Sequence, residues 1–336
     1  MYRHFISKLY LIMKYFLLYL SLIITIILIF VWSLTLGPIH IPLSKVINVI
    51  LHPIETLEWR ILYETRLPRT FVGLLTGSCL AVSGVILQYV TRNPMACPSL
   101  LGINQGAGLG ILLILITLPF TQFPIILLYA LAGGTIAGLI IYILVYSMGV
   151  SALRLVLIGQ AINALLYAVS LALIILFPQK AGVILVNING SLAGSSWQNF
   201  ITVAPILFTM LIICFFYIKK IHILSLGEDI ATSLGVNIKW LLAIVFIIVI
   251  VLCSLSVSLV GQILFFPLIA VNLSKMILKS NSPYHLLIVA MFIGAILMMF
   301  SDCLMRYIYL DQEVPIGIFM SLVGAPILVL CARIKR

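Results

Sequence analysis

Long unbroken apolar runs separated by short polar breaks dominate the chain, and the runs are of helix length rather than strand length. A bilayer core takes about 20 residues of helix. That ruler predicts ten spans, at 15–36, 67–90, 100–118, 124–146, 153–177, 200–218, 240–260, 262–278, 285–309 and 315–332. Membrane barrels would show shorter segments of alternating apolar and polar residues instead. The run 240–278 is too long for one helix and has only Gly261-Gln262 as a turn. Pro267, just beyond, predicts a short or broken helix there. An even number of spans puts both termini on one side. The expectation is an all-α, polytopic membrane protein forming a single transmembrane domain over 1–336.

Composition agrees with the pattern. The chain is 64% hydrophobic and 8% charged, with a mean hydropathy of +1.30, whereas soluble domains carry about 25% charged residues. So little charge cannot cover a water-exposed surface of this size. The net charge of +11 would suit nucleic acid if it were clustered, but it is spread over loops. With a cytoplasmic N-terminus, Lys45, Arg60, Arg66, Arg69, Lys180 and Arg306 fall outside and the rest of the 19 Lys and Arg fall inside. That excess orients both termini to the cytoplasm. The basic start MYRHFISKLYLIMK is followed by an apolar stretch too long for a signal peptide, so it reads as the first span. The largest external loop, 37–65, contains a run from Pro42 that reads as a short amphipathic helix on the membrane surface. A second external loop spans 178–199.

Several chemistries are excluded. The six cysteines are scattered without a C-x-x-C pair, so neither a disulfide framework nor a zinc site is indicated. The five histidines form no H-x-x-E-H or similar grouping, which argues against a membrane-embedded enzyme. Gly106, Gly108 and Gly110 lie in an apolar context with no preceding strand, so they are not a nucleotide fingerprint. A G-x-x-x-x-G-K-[ST] phosphate loop is missing from the sequence, so the chain does not hydrolyse ATP by that route. The small-residue stripes Gly73-Gly77-Ala81, Gly102-Gly106-Gly110 and Gly134-Gly138 predict close helix contacts, within one subunit or at a dimer or pore surface.

Two polar places remain. Asp302 and Arg306 sit four apart on one helix and can pair. Two readings are open: a snorkelled ion pair at a helix end, or a share in an external basic cluster with Arg66 and Arg69 suited to an acidic partner or an anionic solute. The internal loop 219–239 holds Leu226-Gly-Glu-Asp-Ile-Ala-Thr-Ser-Leu-Gly235, with Glu228 and Asp229 at the positive end of a short helix and Gly235 as its stop. This is either a connector or a docking surface for a cytoplasmic partner.

Several runs, in order, carry a resemblance. They are Arg66–Ala107, Gly190-Ser-Leu-Ala-Gly194 with Trp197, Leu226–Val236, Asp302 with Arg306, Glu313-Val-Pro-Ile-Gly317, and Gly324-Ala-Pro326. Together they resemble the FecCD-type ABC permeases that import iron–siderophores, haem and cobalamin. The resemblance implies a BtuC-like permease fold in the bacterial inner membrane. It implies a channel of two permease subunits on two cytoplasmic ATPases, fed by a periplasmic or lipid-anchored binding protein. Arg66, Arg69 and Arg306 match positions that meet acidic residues of that binding protein. Leu226, Gly227, Glu228, Asp229, Ala231, Leu234 and Gly235 match the coupling segment seated in the ATPase. Gly73, Gly77, Gln88, Asn93, Pro94, Gly102, Asn104 and Gly106 are expected in the translocation path or its helix packing. The chain would bind no cofactor or metal of its own, with ATP acting on the partner, and transport would proceed by alternating access.

The run Asn93-Pro-Met-Ala-Cys-Pro-Ser-Leu-Leu-Gly-Ile-Asn104 is similar to that of ferric dicitrate permeases, which favours ferric citrate among chelates. The family pattern G-x-I-x-F-x-G-L-x-x-P-H-x-x-R is altered at Gly261–Lys275, where Pro267, Val271-Asn272 and Lys275 replace the inner Gly, the Pro-His and the Arg. That departure puts the geometry of the eighth span in question. Haem or cobalamin import by the same family stays open, as does an ion-coupled secondary transporter, for which Asp302 alone resembles a midplane acid.

Overall fold

The computed structural model describes residues 2–118, 121–147, 152–278, 282–309 and 314–334. These residues form fourteen α-helices: α1 Tyr2–Thr35, α2 Leu43–Leu51, α3 Leu57–Arg60, α4 Leu67–Thr91, α5 Ile103–Thr117, α6 Phe123–Ser147, α7 Ala152–Leu176, α8 Ala181–Asn189, α9 Trp197–Leu226, α10 Glu228–Ser233, α11 Ile238–Val260, α12 Phe266–Leu278, α13 Pro283–Ile308 and α14 Ile316–Ile334. A π-helical turn, Ile61–Arg66, joins α3 to α4. Seven of the described helices are long and apolar enough to cross a bilayer, and α5 and α12 are shorter apolar helices. The chain is an all-helical, polytopic membrane protein.

Helix α4 is the central post. Most of its side chains from Pro68 to Gln88 are buried, and it packs on α13 and then on α9, α11 and α12. Small residues make this possible. A Cβ on Gly77 would lie 2.9 Å from the carbonyl carbon of Gly294 and 2.8 Å from Met298 Cβ. Without a hydrophobic drive between helices in lipid, such backbone contact is what holds them together. Gly106 and Gly133 do the same for α5 and α6, while Gly134 faces Ser254 on α11. The predicted stripes therefore pack within the subunit. Large apolar side chains point outward instead, among them Leu28 of α1 (65% exposed), Ile143 of α6 (61%) and Ile175 of α7 (81%). In water this arrangement would be unstable, but in lipid it is the expected one.

Several predicted boundaries shift. α1 begins at Tyr2, well before residue 15, and α9 runs through 219–226, so the predicted loop 219–239 shrinks to 227–237. Ser196 and Asn237 cap α9 and α11, each accepting from a backbone N–H at 3.2 Å. The third predicted span is cut to the 15 residues of α5, because 92–102 is an irregular segment. The eighth is cut to the 13 residues of α12, with Pro267 in its first turn. At 1.5 Å per residue these reach only about 20 Å, less than the roughly 30 Å hydrocarbon core. Non-helical backbone therefore enters the bundle at both places.

Candidate functional site

Three polar constellations are built on this scaffold. At the upper end, where α1 stops and α4 starts, Arg66, Arg69 and Arg306 gather as the charge pattern predicts. Their guanidinium groups, however, turn into the bundle. Arg66 is 4% exposed and donates to the carbonyls of Leu34 and Ile39. Gly37 gives it room: a Cβ there would sit 2.9 Å from Arg66 Nη2. Arg69 donates to both oxygens of Asp302, from Nη2 at 2.7 Å and from Nε at 3.0 and 3.1 Å. Arg306 reaches Asp302 Oδ2 at 2.9 Å and donates to Ser33 Oγ at 2.7 Å and Ser33 O at 3.2 Å. Two arginines thus satisfy carbonyls at the C-terminus of α1, where cations are favoured by the helix dipole. The third ties α4 to α13.

Beside this cluster the Gly190–Gly194 segment forms a junction. Gly190 and Gly261 both adopt positive φ, at 69° and 74°, and each leaves no space for a Cβ against the other strand of chain. Ser191 N–H donates to Val260 O at 2.7 Å, Gln262 N–H to Asn187 O at 2.8 Å, and Ile316 N–H to Gly190 O at 2.9 Å. The ends of α8, α11 and α14 are therefore fastened together. Trp197 donates from Nε1 to the carbonyl of Tyr63 at 2.6 Å, holding α9 to the π-helical turn. Glu313 of the neighbouring motif lies outside the described residues, as does the side chain of Ala325.

The second constellation lies where the two irregular segments meet. Ser99 Oγ donates to Ile263 O at 3.3 Å and accepts from Asn104 Nδ2 at 3.0 Å, with Ser99 and Asn104 each 2% exposed. Gln262 passes over the α5 backbone at Gly108, which has no side chain to obstruct it. Gly102 holds the entry to α5 at φ 83°, and Asn93 makes an Asx turn to Met95 N–H at 2.9 Å. Lys275 donates to Gln88, keeping α12 against α4. Gly73, Gly77 and Gly106 lie in helix–helix contacts. Non-helical backbone at membrane depth is tolerated only where it is buried in protein or lines a cavity, and these polar groups are buried there.

The third constellation is α10 at the lower end. Glu228 and Asp229 open it, Gly235 follows at φ 77°, and Ala231 is fully buried. Leu226, Ile230 and Leu234, spaced by four, are 57%, 46% and 62% exposed. Arg92, at φ 51°, donates to Leu224 O at 3.0 Å. It thereby binds the end of α4 to the end of α9, just ahead of α10. Neither this link nor the Arg69–Asp302 pair is visible in spacing, since the partners are 132 and 233 residues apart. Among the described residues no group of three or more His, Cys, Asp or Glu is placed to hold a metal ion.

Interrupted helices around buried amides, with a polar helix-loop between two long spans, define a membrane transport permease. The chain belongs to the FecCD transport family, whose pattern residues 24–333 match. It is 33% identical over 279 residues to the Fe(3+)-citrate import system permease protein YfmD of Bacillus subtilis, covering 83% of each chain. It is 32% identical to the iron(3+)-hydroxamate import system permease protein FhuG of the same organism, covering 90% of this chain and 92% of that one. A solved metal-chelate type ABC transporter in an inward-facing conformation superposes with a TM-score of 0.81 at 26% identity, covering 94% of this chain and 98% of that one. The family is one of transport subunits of metal-chelate importers, not of enzymes.

Proposed function

We propose that this chain is the permease subunit of an ATP-driven importer that moves a ferric chelate across the bacterial inner membrane by alternating access. The observation that carries the reading is the exposed apolar side chain of Ile230 on α10, with those of Leu226 and Leu234 flanking the helix. Exposed leucines on a polar loop between two membrane helices need a protein partner, and a cytoplasmic ATPase supplies one. Two such ATPases, a second permease subunit and a substrate-binding protein complete the assembly, with both termini cytoplasmic. No cofactor binds this chain, because ATP acts on the partner.

Ferric citrate is the proposed cargo. The support is the run Asn93–Asn104, which turns by the Asx loop at Asn93 and delivers Asn104 into the buried amide cluster. Overall identity does not choose between chelates, since a citrate and a hydroxamate permease differ by one percentage point. Arg66, Arg69 and Arg306 are proposed to serve docking of the binding protein at this end of the bundle, where Arg66 ties Leu34 and Ile39 together and Glu55, Arg60 and Glu64 are exposed. The test is radio-iron uptake in a strain lacking this chain, with and without complementation. Restoration with ferric citrate alone supports the full reading. Restoration with another chelate retains the importer and removes citrate, and no restoration with any iron chelate rejects iron import.

A further inference from the structure

We propose that residues 43–57 form a lipid-anchored interfacial arm, with α2 lying half-sunk in the leaflet at the upper end of the bundle. This inference is independent of the cargo. α2 divides into three sectors at roughly 100° per residue. Val46 is buried and Val49 half-buried, packed into a cluster with Phe30 and Leu34 from the last two turns of α1, plus Ile41 and Leu62. An adjacent sector carries Leu43, Ile47, Ile50 and Leu51, at 47%, 49%, 61% and 68% exposure. The third carries Ser44, Lys45 and Asn48, all exposed. Lys45 pairs across it with Glu58 at 3.3 Å, and the lysine side chain is 61% exposed.

A helix on a protein flank in water needs only two sectors, one apolar and packed, one polar and solvated. Among the described residues the additional apolar sector is left exposed. Its level in the bundle identifies what covers it, because the packed sector seats on Phe30 and Leu34, the final turns of a membrane-spanning helix. The same helix exposes Ile24, Ile27 and Leu28 further along, as a lipid-facing span does. Ile54 and Leu57, both exposed, extend the apolar surface past the helix end. Trp59 stacks on Tyr63 with ring centroids 5.0 Å apart, and Tyr63 meets Trp197 at 5.6 Å. Aromatic rings of this kind gather at membrane–water interfaces. A helix with a polar face and a well-defined apolar face lies in the interfacial plane. The arm thus fixes the height of Ile61–Arg66 relative to the lipid, and through Arg66 the end of α1.

The full-length protein would be placed in phosphatidylcholine nanodiscs with a bimane probe on Ile50→Cys or, separately, Asn48→Cys. Cys79, Cys97, Cys214, Cys253 and Cys303 are buried, and labelling of the parent protein supplies the background to subtract. Expected is loss of most Ile50-probe fluorescence with acyl-brominated lipid and little with aqueous iodide, and the reverse at Asn48. Quenching of both probes by iodide alone would overturn the anchor. An Ile50 probe shielded from both quenchers would assign the face to a protein partner and equally reject lipid. Both substitutions lie on exposed positions, so folding is preserved.

Discussion

Asp302 holds two arginines at once: Arg69 of α4 at 2.7 Å and Arg306, one turn further along α13, at 2.9 Å. The carboxylate is 3% exposed and the two cations 12% and 11%. This triad, rather than an open basic patch, is how the upper end of the bundle uses its charge.

Breaking the triad should therefore be severe. Removing one member of a buried ion pair leaves an uncompensated charge and costs about 3–5 kcal/mol. Asp302→Ala removes the carboxylate shared by two guanidinium groups and should lower thermal stability in detergent more than Arg69→Ala, which leaves Arg306 as a partner for the carboxylate. Equal midpoints for the two variants would show that the carboxylate is not the hub.

The contact between Gly77 and Gly294 tolerates nothing larger. Overpacking a well-filled core typically costs about 1–3 kcal/mol, and here the obstacle is backbone, which cannot rotate away. Gly77→Val should abolish the monodisperse peak in size-exclusion chromatography. Gly182→Val, at a site where a Cβ meets nothing within 4 Å, should leave that peak in place.

The exposed apolar residues at α10 make a prediction of the opposite kind. Ile230→Glu with Leu234→Glu changes exposed residues only, so stability should stay within about 0.5 kcal/mol. Co-purification of the ATPase partner should be lost. Retained co-purification with retained stimulated hydrolysis would remove α10 as the docking element.

Arg92 combines a left-handed backbone with a useful side chain. For a residue other than glycine that conformation costs roughly 1–2 kcal/mol, offset here by the bond to Leu224 O. Arg92→Ala should lose the bond and keep the strain, whereas Arg92→Gly loses the bond and relieves the strain. Thermal unfolding should place the glycine variant about 1 kcal/mol above the alanine variant. The reverse order would mean that the backbone is not strained.

The apolar runs by themselves determined that this is a helical membrane protein and where most of its spans lie, because lipid accepts little else over 20 residues. The small-residue stripes likewise announced close helix contacts, and the i,i+4 spacing announced the pair Asp302–Arg306. The resemblance read from short motifs named the family. Tertiary structure alone decided which helices meet across those glycines and that α5 and α12 are cut short by buried irregular backbone. It also turned the three arginines inward, onto Asp302 and the carbonyls at the end of α1. The reason is physical. Periodicity reports neighbours on one helix, but a buried charge takes its partner from whichever segment the packing brings within about 3 Å, however distant in the chain.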